Sequence, residues 1–168
     1  MDVADWHNSP LPAGNTLPDV VATLLTATTT RALPSPWRGD YDRARAAAWI
    51  RERDEESTVS IATDRETGIP VGLIILFTAP ADDGSGRVDI RLGYLLGESV
   101  WGQGLATELV AGFVEWCRSV PRVRSVAGGV EQDNIASARA LAKNGFVPVG
   151  PPIDGDQLYE LDLSTNPA

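Results

Sequence analysis

Gly102, Gly104 and Ala106 place small residues at every second position of Trp101-Gly-Gln-Gly-Leu-Ala-Thr107. A glycine carries no Cβ, so such spacing lets a bulky ligand approach the backbone. Apolar residues then recur at helical intervals: Leu105, Leu109, Phe113 and Trp116 or Cys117. A helix opening there leaves its first N–H groups without intrahelical acceptors, at the positive end of its macrodipole. A pyrophosphate seated at that end takes several backbone hydrogen bonds and needs no lysine. Thr107 adds a hydroxyl. The same pattern also describes a tight strand-to-helix turn with no ligand. A Walker loop is excluded, because no Gly-Lys-Ser/Thr follows. A Rossmann fingerprint fits less well, since its third glycine would fall at Thr107 and the loop follows a third strand.

A second constellation lies downstream, Asn134-Ile-Ala-Ser137 and then Lys143-Asn-Gly-Phe146. Asn134 suits a helix N-cap, and Gly145 sits where a helix stops.

Together the two segments resemble the acetyl-CoA loop and following helix of the GNAT N-acetyltransferases. The family's loop has the form Arg/Gln-x-x-Gly-x-Gly/Ala. Here Trp101 stands in the first place, as in the branch of ribosomal-protein-alanine N-acetyltransferases, which the Asn-x-x-Ser and Lys-x-Gly-Phe segments also resemble. The resemblance spans roughly residues 24–163 and is weakest before Thr58. It implies an α/β (α+β) GNAT fold, a central mixed, mostly antiparallel twisted sheet splayed at the acetyl-CoA strand and flanked by helices. It also implies one N-acetyltransferase domain over residues 1–168, with residues 1–18 an irregular N-terminal segment.

The chemistry implied is direct acetyl transfer, in a ternary complex, from acetyl-CoA to a primary amine, with no metal (EC 2.3.1.-). The acceptor would be a protein N-terminus or a small cationic amine. By the resemblance, Leu95 and Leu96 meet the pantetheine arm, and Trp101, Gly102, Gln103, Gly104, Leu105, Ala106 and Thr107 cradle the pyrophosphate. Asn134 holds the pantetheine arm or simply caps its helix. The reaction needs a base for the ammonium proton and a donor for the leaving thiolate. Many relatives use a tyrosine as donor, at the place of Leu141 here. By the resemblance Ser137, near the thioester sulfur, takes that role instead, or is an indifferent residue of its helix. Relatives often carry a glutamate where Arg91 stands. Asp89, on the same strand face, and Glu131, just past the next strand, are the candidate bases, and each also reads as a solvated carboxylate. Loss of the usual tyrosine and glutamate keeps another reading open, a catalytically weak acyl-CoA-binding regulatory module. A nucleotide-binding protein without acyl chemistry is a third.

The elements that must position these residues are legible in outline. Helices are expected over 19–26, 40–53, 102–120 and 134–144, with Ala44, Ala48 and Trp49 facing inward on the second. The prolines at 34 and 36 break the chain into a loop over 33–37. Strands are expected over 58–63 and 69–78 about a turn at 64–68, then over 87–96 and 123–130. A final pair, 146–149 and 157–163, flanks a loop at Pro151-Pro152.

Composition narrows the function. The chain has 168 residues, 43% hydrophobic and 22% charged, ordinary for one globular domain. One cysteine, Cys117, and one histidine, His7, exclude a disulfide framework and cysteine- or histidine-rich metal sites. Cys117 reads as a small buried apolar group and His7 as a surface residue. Acidic residues outnumber basic ones 23 to 14, for a net charge of −9. That disfavours nucleic acid and favours either solubility or cationic substrates. No leader and no apolar run near the ~20 residues of a membrane span is present, so no membrane is involved and the cytoplasm is the default location. Trp6, Trp37 and Trp49 line an acceptor pocket or fill the core. Dimers are common among relatives, so a homodimer fits the resemblance.

Overall fold

The computed structural model describes residues 1–164, so the last four of the 168 residues expected in one domain lie outside it. Among the described residues, seven strands form a mixed, mostly antiparallel sheet in the order β1-β2-β3-β4-β5-β7-β6, accompanied by four α-helices. That is the fold class expected from the resemblance. Contacts group the chain into two compact units: Met1–Ile75 with Tyr94–Gln103, and Leu76–Gly93 with the chain from Gly104 onward.

In the first unit, β1 (Asp2–Asp5) lies antiparallel to β2 (Thr58–Thr63), with Asp2 opposite Thr63 and Asp5 opposite Ser60. Within the 1–18 segment expected to be irregular or extended, the four residues of β1 are thus a paired strand. The strand is short, mostly exposed and carries aspartates at both ends. Such a charged edge strand shows no apolar alternation to read in sequence. α1 (Leu17–Leu24) opens with a capping box, in which Asp19 accepts from the Thr16 N–H at 2.8 Å. α2 (Arg43–Glu56) is capped by Asp42, which accepts from the Arg45 N–H at 2.8 Å. Its inward face is Ala46, Trp49, Ile50 and Arg53, and Ala44 is exposed. The expected face was turned because it anchored on alanine, whereas the aromatic and aliphatic bulk at Trp49 and Ile50 decides which side is buried. The β2–β3 turn closes on Asp64, whose carboxylate accepts from the Glu66 and Thr67 N–H groups.

The second unit is built on β5 (Val123–Glu131). β4 (Val88–Leu96) pairs with it in parallel from Val88 to Arg91, and β7 (Asp156–Asp162) pairs antiparallel from Ser125 to Glu131. The last four residues of β5 are therefore matched by β7 and lie beyond the β4 ladder, which ends at Arg91 opposite Ala127. α3 (Leu105–Ser119) buries Leu109, Val110, Phe113, Val114 and Cys117. Trp116 is half exposed and stacks on Phe113, so Cys117 is the inward residue of the two considered. α4 (Ile135–Lys143) buries Ala140 and Leu141. β3 (Pro70–Pro80) runs through both units.

The Pro151-Pro152 loop is also corrected. Both prolines lie within β6 (Val147–Ile153), where a register shift interrupts its pairing with β7 between Val149 and Ile153. β6 ends the sheet, and prolines are tolerated on an edge because the missing N–H has no neighbour to serve. The turn is Asp154-Gly155, both with positive φ, 52° and 90°. That Asp-Gly pair is the stronger hairpin signal in the sequence.

Candidate active site

The loop from Gly97 to Gln103 belongs to the first unit and organises itself. The Trp101 indole N–H donates to the Leu96 carbonyl at 2.8 Å, and Gln103 donates through Nε2 to the Ser99 carbonyl at 3.2 Å. Glu98 accepts from the Thr26 hydroxyl at 3.0 Å. Trp101 is thus a brace for the turn after β4, its ring half exposed. Leu95 and Leu96 bury their side chains, leaving backbone as the only part of either able to meet a ligand.

At the second unit's end of this segment, Gly104 is the N-cap of α3 with φ 81°, a left-handed conformation. No side chain caps the helix there. The N–H groups of Leu105, Ala106 and Thr107 therefore open the helix without an intrahelical acceptor. A Cβ built on Gly104 would meet no atom within 4 Å, and the same holds for Gly102, at φ 74°. Space that a side chain would fill is left open beside unpaired donors, which fits a phosphate group.

α4 brings Asn134 and Ser137 onto the same unit. Asn134 is the N-cap, its side-chain oxygen accepting from the Ser137 N–H at 3.2 Å. Its amide nitrogen makes no hydrogen bond among the described residues and remains a donor. The Ser137 hydroxyl likewise has no hydrogen bond there, and the residue is half buried. Leu141, one turn on, is 1% exposed and sealed in the core. One link was missed in the sequence. Asn144 donates through Nδ2 to the Thr107 carbonyl at 3.1 Å and the Ala140 carbonyl at 2.8 Å, tying the end of α4 to the first turn of α3. Its signal was visible only as an asparagine before the helix-stopping Gly145.

Asp89 is engaged: Arg124 Nε donates to it at 2.9 Å, and the Ser125 hydroxyl donates at 2.8 Å. The Arg124 bonds hold its carboxyl below the usual range, against the opposing effect of partial burial. Arg124 also reaches Asp82 at 3.0 Å and Asp83 at 3.2 Å. A carboxylate so held is a poor proton acceptor, and among the described residues no hydrogen bond joins it to Ser137 or Asn134. Glu131 ends β5, half buried, and its backbone carbonyl accepts from the Asn134 N–H at 2.9 Å.

Trp6 and Trp49 lie in the core, and Trp37 is half buried beside them. Trp6 and Trp49 are 2% and 3% exposed and meet edge-to-face at 6.0 Å, and Trp37 packs on Trp49 at 5.7 Å. Trp6 and His7 both contact Asp54, at 3.0 and 2.8 Å. Burial pushes the Cys117 thiol up to about 12, which leaves no thiolate to act as nucleophile. Among the described residues no His, Cys, Asp or Glu group is arranged to hold a metal ion. No described helix is long and apolar enough to cross a membrane.

The comparisons with known proteins agree with this architecture. A family model described as the acetyltransferase (GNAT) domain matches residues 13–147. Among solved structures, a GNAT-family acetyltransferase from Streptococcus pneumoniae is similar at 16% identity and TM-score 0.64, covering 95% of this chain and 97% of that one. A GNAT-family acetyltransferase from Bacillus anthracis is similar at 13% identity and TM-score 0.69, covering 87% and 89%. The ribosomal-protein-S5-alanine acetyltransferase from Vibrio fischeri is similar at 16% identity and TM-score 0.60, covering 89% and 91%. At these identities the likeness is one of fold. No curated protein sequence matches the chain.

Proposed function

The chain belongs to the GNAT acetyltransferase family, and from that premise we propose that it is an N-acetyltransferase acting directly from acetyl-CoA on a primary amine. The whole chain, both units included, is read as one acetyltransferase domain. The observation that carries the reading is the start of α3, where the left-handed Gly104 leaves open space beside uncapped N–H groups. When bound, acetyl-CoA supplies a thioester whose acyl carbon accepts the amine. Gly102, Gln103, Gly104 and the first turn of α3, Leu105 to Thr107, hold its pyrophosphate. Trp101 fixes the loop, and the backbone of Leu95 and Leu96 meets the pantetheine arm. In the second unit, the unused amide nitrogen of Asn134 is a donor for the cofactor while its oxygen caps α4.

Ser137 carries the donor role, since its hydroxyl makes no internal bond and Leu141 has no proton to give. Asp89 and Glu131 remain the two candidate bases, and the bonds that Asp89 accepts from Arg124 and Ser125 weaken it as a proton acceptor. The acidic surplus of the chain raises the local concentration of cationic amines. Leu141 and Arg91, where relatives place a tyrosine and a glutamate, favour the second reading of a weak acyl-CoA-binding regulator. Turnover against a panel of amines separates the two.

Titration calorimetry with acetyl-CoA, with NAD as control, tests the site. Gly104→Val and Gly104→Asn both place atoms in the cradle, and Asn tolerates the left-handed conformation. Each is expected to weaken acetyl-CoA binding by about tenfold or more while the protein stays folded. Unchanged affinity in a folded variant removes the pyrophosphate from this loop. Ser137→Ala is expected to slow turnover by roughly tenfold or more with acetyl-CoA affinity unchanged. Wild-type turnover in that variant takes the donor role away from Ser137.

A further inference from the structure

We propose that the open sheet face of the second unit binds a zwitterionic acceptor, an amino acid whose carboxylate pairs with Arg91 and whose ammonium pairs with Glu160. The proposal rests on the acetyltransferase reading and names its acceptor class.

Strand register builds the site. Arg91 on β4 stands opposite Ala127 on β5, and Ala127 stands opposite Glu160 on β7. Directly paired residues project to the same face, so one row across three strands reads cation, methyl, anion. The row is open: Arg91 is exposed, and Ala127 and Glu160 are half buried. The buried row beside it, Ile90, Val126 and Leu161, points to the opposite face, into the core. Around the open row lies a groove of about 410 Å³, with Phe77 and Ala79 along one wall.

The neighbouring row on the same face is Asp89, Ser125 and Asp162, and both of its carboxylates already accept hydrogen bonds. Asp89 is held by Arg124 and Ser125, and Asp162 accepts from the Ser164 N–H at 2.7 Å. Arg91 and Glu160 differ from these. Neither side chain makes a hydrogen bond or ion pair among the described residues. Nor do they meet each other in this structure. Adjacent strands lie about 4.8 Å apart, so two residues separated by one strand stand about 10 Å apart. The methyl of Ala127 leaves the space between them empty.

Asp89 and Arg124 also line the groove but are bound to each other, so a simple cation finds its open partner in Glu160 and a simple anion in Arg91. A zwitterion meets both, and its two charges cancel in a groove whose own charges also balance. With a contact of about 2.8 Å at each end, a ligand charge separation of roughly 4–5 Å remains. That matches 3-aminopropionate or 4-aminobutyrate, and the long Arg91 side chain closes the gap for an α-amino acid.

The test is calorimetric binding to the full chain, in the presence of CoA, of glycine, 3-aminopropionate and 4-aminobutyrate against butylamine and butyrate. The best zwitterion is expected to bind about tenfold or more tightly than either singly charged analogue. Arg91→Gln is expected to reduce its affinity to that of the amine, and Glu160→Gln to that of the carboxylate. Both substitutions lie on an open face, so unchanged melting temperature and CoA affinity verify folding. A zwitterion that binds no better than butylamine and butyrate overturns the proposal. So does wild-type zwitterion affinity in both variants. The outcome for the parent reading is separate. Acetyl transfer to amines without preference for zwitterions leaves the enzyme standing and removes the groove. Zwitterion binding that depends on Arg91 and Glu160, without any acetyl-CoA binding, removes the enzyme.

Discussion

Arg53 and Arg91 carry the same guanidinium in opposite surroundings. Arg53 lies on the inner face of α2, 3% exposed, with its Cζ 4.3 Å over the Trp37 ring and 5.6 Å from that of Trp49. Its Nη2 pairs with Glu56 at 2.9 Å, while Nε, Nη1 and the nearby Trp49 indole N–H have no partner among the described residues. Arg91 lies on an exposed sheet face with no partner at all among those residues. Where water is excluded, an unmet donor costs about 1–3 kcal/mol, so Arg53 persists because aromatic faces and Glu56 offset that cost. Where water remains, an unmatched guanidinium costs nothing, and the missing partner marks a group available to a ligand. The same missing bond therefore signals strain in one unit and readiness in the other.

The largest effect is expected at Arg53. Arg53→Ala removes the desolvated cation–π contact and the packing of the stem, and should cost about 2–4 kcal/mol. Arg53→Met keeps the volume and removes both the charge and the unmet donors. Replacing a buried charge by a well-packed apolar group is often neutral or stabilising, so this variant should stay within about 1 kcal/mol of the parent. Urea midpoints at constant slope measure both. If Met costs as much as Ala, the charge itself holds the cluster, and the contrast with Arg91 breaks. If neither costs anything, the tryptophans pack without the guanidinium.

What could be read in advance divides along sequence distance. The glycine spacing at Gly102 and Gly104 and the helix after it are local, so the loop, α3 and the capped start of α4 were legible. The Asp154-Gly155 turn was equally local and was passed over for the prolines beside it. β1 was hidden because an exposed, charged edge strand carries no period. The cluster of Trp6, Trp37, Trp49 and Arg53 draws on three separate segments, and no spacing rule links them. Asp89 shows the limit most clearly. Its alternation on β4 was correct, but its fate depends on Arg124, 35 residues away on a parallel strand whose register the sequence does not state.

Arg124 is the intermediate case, and it supplies the smallest expected effect. It is partly exposed and fully matched, gripping Asp82, Asp83 and Asp89. Its bonds to Asp89 lower that carboxyl, and hydrogen bonds from Ser85, with help from Arg124, bring Asp83 to about 2. A carboxyl lowered on folding stabilises the fold above its unfolded value near 3.8, and that contribution is lost as pH falls through the folded value. Stability from this cluster should therefore be constant near neutrality and fade between about pH 4 and pH 2. Asp89→Asn keeps the shape and removes the charge, so it should cost about 1 kcal/mol at pH 7, discounted for exposure. The difference from the parent should shrink toward zero as the pH approaches 2, read from urea midpoints at pH 7, 4 and 3. A difference that stays constant with pH assigns the loss to altered packing. In that case Asp89 is not held by its charge, and its pairing with Arg124 no longer weighs against it as the base.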